Sequence, residues 1–117
     1  STITVNYNWR TACHKDKGDY DKGFGNLVVC EEGNYKGGYT GFPQFGVAFD
    51  VRKGDFLAMD VHEWHCNTPI ICDNTDCCNC YKNKKTTYNN KKCLNDEKYC
   101  RLSVVCYLRK NMVKCKK

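Results

Sequence analysis

The sequence lacks long apolar runs, and its longest ones extend over only a few residues. A membrane-spanning helix needs about 20 consecutive apolar residues, so nothing in the sequence predicts a membrane span. No charged segment precedes an apolar stretch, so no signal peptide is visible, although processing could have removed one. Apolar residues show no sustained helical period and no internal repeat, which argues against helical bundles and repeat proteins.

Length and composition limit the chain to one globular domain, which we predict over residues 1–117. The chain is too short for two domains of ordinary size. Hydrophobic residues make up 41% and charged residues 27%, which is typical of a folded protein and argues against wholesale disorder. The chain begins without methionine and enters a strand-like segment at once, which is compatible with a fragment of a longer protein.

Basic residues are concentrated in the last third of the chain. Residues 1–81 carry 7 Lys/Arg and 11 Asp/Glu, a net charge of −4. Residues 82–117 carry 12 Lys/Arg and 2 Asp/Glu, a net charge of +10. This asymmetry indicates a polyanionic partner such as nucleic acid, with a solvated lysine surface as the alternative.

Short β-like segments follow one another along the chain, separated by glycine and asparagine. Each is rich in β-branched and aromatic residues, and most alternate apolar and polar positions. Several short strands separated by turn residues are typical of an all-β sandwich or barrel, which is the fold class we predict. The segments are residues 3–9, 26–30, 46–51, 55–60 and 102–108.

Eleven cysteines are present, and six of them crowd one polar stretch, residues 71–100. This stretch has almost no aliphatic side chains, so we predict an insertion between two strands that is ordered by cross-links, metal or a partner. Two or three disulfides are our first expectation, and a structural zinc site using four thiolates is the main alternative, with a disordered segment or free thiols as the third. The six are Cys72, Cys77, Cys78, Cys80, Cys93 and Cys100.

His14 and Asp16 form an H-x-D triplet directly after the first strand-like segment. On an extended backbone, residues two apart point to the same face, so the imidazole and the carboxylate can converge on one metal ion. His62 and His65, just beyond the fourth strand-like segment, are the two candidates for the third ligand. Two His and one carboxylate form the facial triad of non-haem Fe(II) oxygenases. A loop histidine beside a solvated aspartate is the alternative.

Arg101 and Ser103 lie on one face at the start of the last strong strand-like segment. An arginine at the mouth of a small barrel can bind a carboxylate bidentately, and a hydroxyl two residues on can add a hydrogen bond. An ion pair at the rim of the barrel is the alternative for Arg101.

Four groups of residues occur once each along the chain. They are His14-Lys15-Asp16; Gly37-Gly38 with residues 42–51 (FPQFGVAFDV); Gly54-Asp55-Phe56-Leu57 with residues 65–69 (HCNTP); and residues 101–107 (RLSVVCY) with Lys110-Asn111-Met112.

In these four groups the chain resembles the TET/JBP family of Fe(II)- and 2-oxoglutarate-dependent dioxygenases. The resemblance covers nearly everything except residues 71–100. It implies a double-stranded β-helix, a jelly-roll or cupin-like barrel, with the Cys-rich insertion before the last core strand. It also implies hydroxylation of the methyl group of 5-methylcytosine or thymine in nucleic acid.

The resemblance also implies roles for five residues. His14, Asp16 and His65 would bind Fe(II). Arg101 would bind the distal carboxylate of 2-oxoglutarate, with Ser103 assisting. The protein would then be an oxidoreductase whose substrate is DNA.

The chain departs from the family pattern in two respects. The 35 residues between His65 and Arg101 are more than most single-domain members have, and the helices that usually precede the barrel are absent. Two alternatives therefore stay open: a non-catalytic structural or binding module, such as a virion component in a larger assembly, and a protein side-chain hydroxylase. A nucleic-acid oxygenase would be nuclear or cytoplasmic, and a viral structural protein would be in the virion.

Overall fold

A computed structural model describes residues 2–72 and 99–114 of the chain. These residues form mainly strands, so the prediction of an all-β fold is confirmed. A 3₁₀-helix, Pro43–Phe45, and a short helix α1, Lys110–Val113, accompany the strands. The strands are β1 (Thr2–Tyr7), β2 (Gly25–Gly33), β3 (Tyr35–Gly37), β4 (Thr40–Phe42), β5 (Val47–Phe49), β6 (Phe56–Met59), β7 (Cys66–Asn67), β8 (Ile70–Cys72) and β9 (Tyr99–Tyr107).

A four-stranded antiparallel sheet with the order β1-β9-β2-β6 forms the larger face of the fold. Two smaller sheets, β3-β8 and β5-β4-β7, complete the described strands. β9 pairs antiparallel with β1 on one side and with β2 on the other, and its side chains alternate between the two faces of the sheet. This architecture is consistent with the jelly-roll or cupin-like fold that the resemblance implies.

The hydrophobic core lies between the large sheet and the loops and strands that cover it. Its buried side chains come from β2, β4, β6 and two loop positions. Full burial of such a side chain stabilises a fold by about 1.5–3 kcal/mol, so this small cluster is a main source of stability. Its members are Leu27, Val29, Phe42, Val51, Met59 and Val61, with Leu57 and Val105 packed against them.

The five predicted strand-like segments overlap β1, β2, β5, β6 and β9. At both ends of the predicted insertion the chain is still paired, since Cys72 belongs to β8 and Cys100 to β9. Residues 73–98 lie outside the described residues. Among the residues that are described, no helix has the length and apolar character needed to cross a membrane.

Candidate metal centre

Backbone pairing holds the two candidate metal-binding histidines side by side. The amide of His14 donates to the carbonyl of His65, and the amide of His65 donates to the carbonyl of His14, each at 3.0 Å. Farther along, the amide of Asp16 donates to the carbonyl of Val61 at 2.9 Å. The H-x-D segment therefore runs antiparallel to the segment that leads into β7. This pairing joins residues that are 51 positions apart in the chain.

The side chains of the three candidate ligands converge. His14 Nε2 lies 3.2 Å from Asp16 Oδ1, and His65 Nε2 lies 4.0 Å from Asp16 Oδ2. One ligand atom from each of the three residues lies within 4.8 Å of the others. His65 is buried, whereas His14 and Asp16 are half-buried. Two imidazoles and one carboxylate that converge in this way match the donor set of a non-haem Fe(II) site.

Both imidazoles are oriented by hydrogen bonds at the other ring nitrogen. His14 Nδ1 lies 2.8 Å from the carbonyl of Ala12, and His65 Nδ1 lies 2.9 Å from the carbonyl of Glu63. A carbonyl only accepts, so each Nδ1 carries the proton and donates it. Each Nε2, the other ring nitrogen, faces Asp16 and is the atom that would bind a metal ion. Metal-binding histidines commonly donate from the second ring nitrogen to a backbone carbonyl, which fixes the orientation of the ring.

His62 lies apart from these ligands. Its Nδ1 is 3.0 Å from Asp60 Oδ1, and its Nε2 is 3.2 Å from the carbonyl of Asp19 and 3.5 Å from Asp21 Oδ1. The hydrogen bond to Asp60 raises the pKa of His62. The structure therefore brings His65, and not His62, to the H-x-D triplet.

The candidate metal ligands line a cavity of about 530 Å³. Ser103 from β9 and Asp19 from the loop after the triplet also line it. A cavity of this size lies within the range of about 300–1,000 Å³ that small-molecule sites occupy. The arrangement can thus hold a metal ion at the wall of a pocket with room for organic ligands.

The family comparison agrees with this geometry. The sequence model for the oxygenase domain of the 2OGFeDO superfamily, covering TET and JBP proteins, matches residues 1–110. The chain belongs to the TET/JBP family. No solved structure matches the chain.

Individual relatives share shorter stretches with this TET/JBP domain. Thymine dioxygenase JBP1 of Trypanosoma brucei brucei is 43% identical over 70 residues, which is 60% of this chain and 8% of the relative. Thymine dioxygenase JBP1-A of Trypanosoma cruzi is 44% identical over 68 residues, 58% of this chain and 8% of the relative. Thymine dioxygenase JBP1 of Crithidia fasciculata is 39% identical over 70 residues. Each alignment thus covers about one twelfth of the relative's length.

Arg101 is the most buried charged side chain among the described residues, with 2% of its surface exposed. Its Nε and Nη2 have no hydrogen-bond partner among the described residues. Such orphaned donors are costly in an interior, and a bound carboxylate would satisfy them. Arg101 shares a face of β9 with Ser103 but is not among the residues that line the cavity.

The surroundings of Arg101 contain groups that sequence reasoning missed. The Tyr35 hydroxyl donates a short hydrogen bond to Glu31 and interacts with Arg101. Burial, with the hydrogen bond to Glu31, raises the pKa of Tyr35 to about 12. Arg52 stacks on the Tyr35 ring, with its guanidinium carbon 4.3 Å from the ring centroid. Nothing in the spacing of these residues predicts the cluster, because β2, β3 and β9 bring it together.

Asp19 is a second group that the motifs did not indicate. Its side chain is buried, lines the cavity, and has an Oδ2 without a hydrogen-bond partner among the described residues. Burial, followed by the nearby charge of Asp16, raises the pKa of Asp19. The only sequence signal was its position three residues after the H-x-D carboxylate.

The described free cysteines are Cys13, Cys30, Cys66, Cys100 and Cys106. Most of the cysteines in the predicted insertion lie outside the described residues, so the disulfide and zinc alternatives both stay predictions.

Proposed function

We propose that this chain is an Fe(II)- and 2-oxoglutarate-dependent dioxygenase that hydroxylates the methyl group of thymine or 5-methylcytosine in DNA. The observation that carries the proposal is the convergence of His14, Asp16 and His65 at the wall of a cavity. The matched relatives are named thymine dioxygenases, which supports a methylated pyrimidine as the substrate.

The donor chemistry fits both groups that the family uses. His14, Asp16 and His65 would hold Fe(II). The Nδ1 hydrogen bonds of the two histidines orient their rings for binding. Arg101 would bind the cosubstrate's distal carboxylate, with the Ser103 hydroxyl assisting. When bound, iron and 2-oxoglutarate supply the oxidation of a substrate C–H by O₂, with release of succinate and CO₂.

The edge of the cavity favours a polyanionic substrate. Lys15, Lys17 and Arg109 line the cavity together with the metal ligands. Cationic side chains at this position can bind the phosphates on either side of a target nucleotide. An enzyme acting on a base in DNA must take that base out of the stack, and a pocket lined this way could receive it.

The test is succinate formation by the purified chain with Fe(II), 2-oxoglutarate and O₂. Duplexes that contain thymine, cytosine or 5-methylcytosine at one position are compared. We expect DNA-dependent succinate and a hydroxymethylated base detected by mass spectrometry. Equal succinate with and without DNA, together with no hydroxymethylated base, would contradict the proposed substrate, and succinate formation stimulated by added protein would favour a protein side chain. Failure to bind 2-oxoglutarate in the presence of Fe(II) would favour a non-catalytic module.

Two further expectations belong to this proposal. A DNA-modifying enzyme would act in the nucleus or cytoplasm. The cysteines within residues 71–100 would be ordered by disulfides or by a structural zinc ion, which intact mass and zinc analysis can distinguish.

A further inference from the structure

Two cysteines flank the candidate metal ligands, one on each of the paired segments. Cys13 directly precedes His14, and Cys66 directly follows His65. The two histidines are joined by backbone hydrogen bonds in both directions. The next hydrogen bond along the pair runs from the amide of Asn67 to the carbonyl of Thr11.

This hydrogen-bond pattern places two residues of the first segment opposite a single residue of the second. Regular antiparallel pairing would join Asn67 to Ala12, but it is joined to Thr11. Ala12 and Cys13 therefore lie together opposite Cys66, which is a β-bulge. The bulge therefore places Cys13 beside Cys66, and burial, together with the neighbouring Cys13, raises the pKa of the Cys66 thiol.

The two thiols differ in exposure. Cys13 is exposed, whereas Cys66 is partly buried, lines the cavity, and has its Sγ against Gly41 of β4. The other free cysteines of the described residues have different residues opposite them: Cys30 is opposite Leu102, Cys100 is opposite Glu32, and Cys106 is opposite Ile3 and Asn26. Among the cysteines whose placement is described, the pair beside the metal ligands is therefore the one arranged to react within the chain.

We propose that Cys13 and Cys66 form a reversible disulfide that weakens metal binding at the adjacent histidines. The oxidant is hydrogen peroxide. The Cys13 sulfur attacks one peroxide oxygen, an S–O bond forms, the O–O bond breaks, and the first water leaves. The Cys66 sulfur then attacks the Cys13 sulfur, the S–S bond forms, the S–O bond breaks, and the second water leaves. Both thiol protons end in the two waters, and two electrons pass from sulfur to oxygen.

The link to metal binding is geometric and rests on the proposed metal centre. A disulfide holds its two Cβ atoms about 3.5–4.5 Å apart and fixes the dihedral angle about its S–S bond. Because each cysteine is next to a histidine ligand, the bond restricts how the two imidazoles can adjust toward a metal ion. Metal–ligand distances in well-formed sites lie within about 0.2 Å of their usual values, so imidazoles that cannot reach those distances bind metal more weakly. We expect a loss of roughly tenfold, as for disturbed outer-shell contacts in metal sites.

Peptide mapping tests the disulfide without any metal. The protein is treated with peroxide, free thiols are alkylated, and trypsin releases residues 11–15 (TACHK), in which Cys13 is the sole cysteine. We expect this peptide to be cross-linked to the one containing Cys66, with tandem mass spectrometry assigning the sulfur. Cys13 that stays alkylated, or that is linked to another cysteine, would overturn the proposal.

Calorimetric titration with Mn²⁺ tests the coupling. This ion prefers oxygen ligands such as carboxylate to thiolates, so the Cys-rich range should not dominate the signal. We expect peroxide to weaken Mn²⁺ binding in the wild type and in the control C30S, and a thiol reductant to restore it. C13S and C66S should be insensitive to peroxide. Equal affinity of reduced and oxidised wild type would overturn the coupling. Absence of Mn²⁺ binding even in the reduced protein would overturn the metal centre itself, while the peptide map would still decide the disulfide.

Discussion

The side chain of Arg101 packs against Gly38, in space that any other residue would fill. A Cβ atom on Gly38 would lie 3.0 Å from Arg101 Nε and 3.1 Å from its Cδ. Gly38 also has a φ of +69°, a conformation that side chains disfavour. Gly38 therefore leaves free the space that the buried guanidinium occupies, although the two residues lie far apart in the sequence.

We expect Gly38→Ala to weaken 2-oxoglutarate binding because the added methyl displaces the guanidinium. The substitution should also cost about 1–2 kcal/mol of stability from the left-handed backbone. Gly46→Ala is a matched control, since Gly46 has a φ of +65° but nothing within 4 Å of its added Cβ. Both variants should melt earlier, but only Gly38→Ala should raise the KM for 2-oxoglutarate. Equal KM values for the two variants would remove Arg101 from the cosubstrate site.

The second prediction concerns the contribution of Asp16 to iron binding. Asp16→Asn should lower Fe(II) affinity by at least an order of magnitude, because a neutral amide replaces the only anionic ligand. His62→Ala serves as the control, since His62 contacts Asp60 and not the ligands. Anaerobic Fe(II) titration measures both. Similar affinity for the two variants would contradict the assignment of the ligands.

The longer strands could be predicted from sequence because alternation needs several residues to become visible. β9 alternates over 9 residues, whereas β7 has only 2 and β4 only 3. The H-x-D triplet could be found because its ligands are neighbours in the chain. The selection of His65 over His62 depended on family context alone, and backbone pairing with His14 supplies the physical reason.

Long-range pairing explains what the sequence could not show. Asp19 looks like a polar loop residue, but its neighbours pair with the end of the last strand. The amide of Tyr20 donates to the carbonyl of Leu108 at 2.7 Å, and the amide of Lys110 donates to the carbonyl of Gly18 at 3.1 Å. These contacts join residues about 90 positions apart and bury the carboxylate between them.

We expect a substitution of Asp19 to change the turnover of the DNA substrate and not the binding of iron or 2-oxoglutarate. Its unpaired Oδ2 can accept the N3–H of an extruded thymine, and an amide at this position could present NH₂ instead. We expect Asp19→Asn to lower turnover of thymine DNA roughly tenfold or more, as for a lost hydrogen bond to a charged group. Affinity for Fe(II) and 2-oxoglutarate should be unchanged. Asp21→Asn, an exposed neighbour paired with Lys110, should retain wild-type turnover. A loss of equal size in the control would show that the loop matters only for folding.

The cluster around His62 predicts how stability depends on pH. The hydrogen bond to Asp60 raises the pKa of His62 above 6.5, so its protonated form is favoured in the folded state. That contribution is complete below pH 6.5 and is lost as the pH rises through the folded value. The pKa of Asp60 is lowered from 3.8, mainly by the hydrogen bond from the His62 amide, and that of Asp21 by its hydrogen bond from Lys110. Their contributions are complete above pH 3.8 and are lost as the pH falls.

The cluster should therefore stabilise the fold most between about pH 4 and 6.5. His62→Gln keeps a polar side chain but loses the charge, so it should lower the melting temperature at pH 5.5 and have little effect at pH 8.5. Because the pairs are largely solvent-exposed, the difference should be roughly 1–5 °C. It should shrink in 0.5 M salt, since exposed charges are screened. Melting curves of the two proteins at both pH values measure the effect. An equal shift at pH 5.5 and 8.5 would mean that His62 acts through packing rather than through its charge.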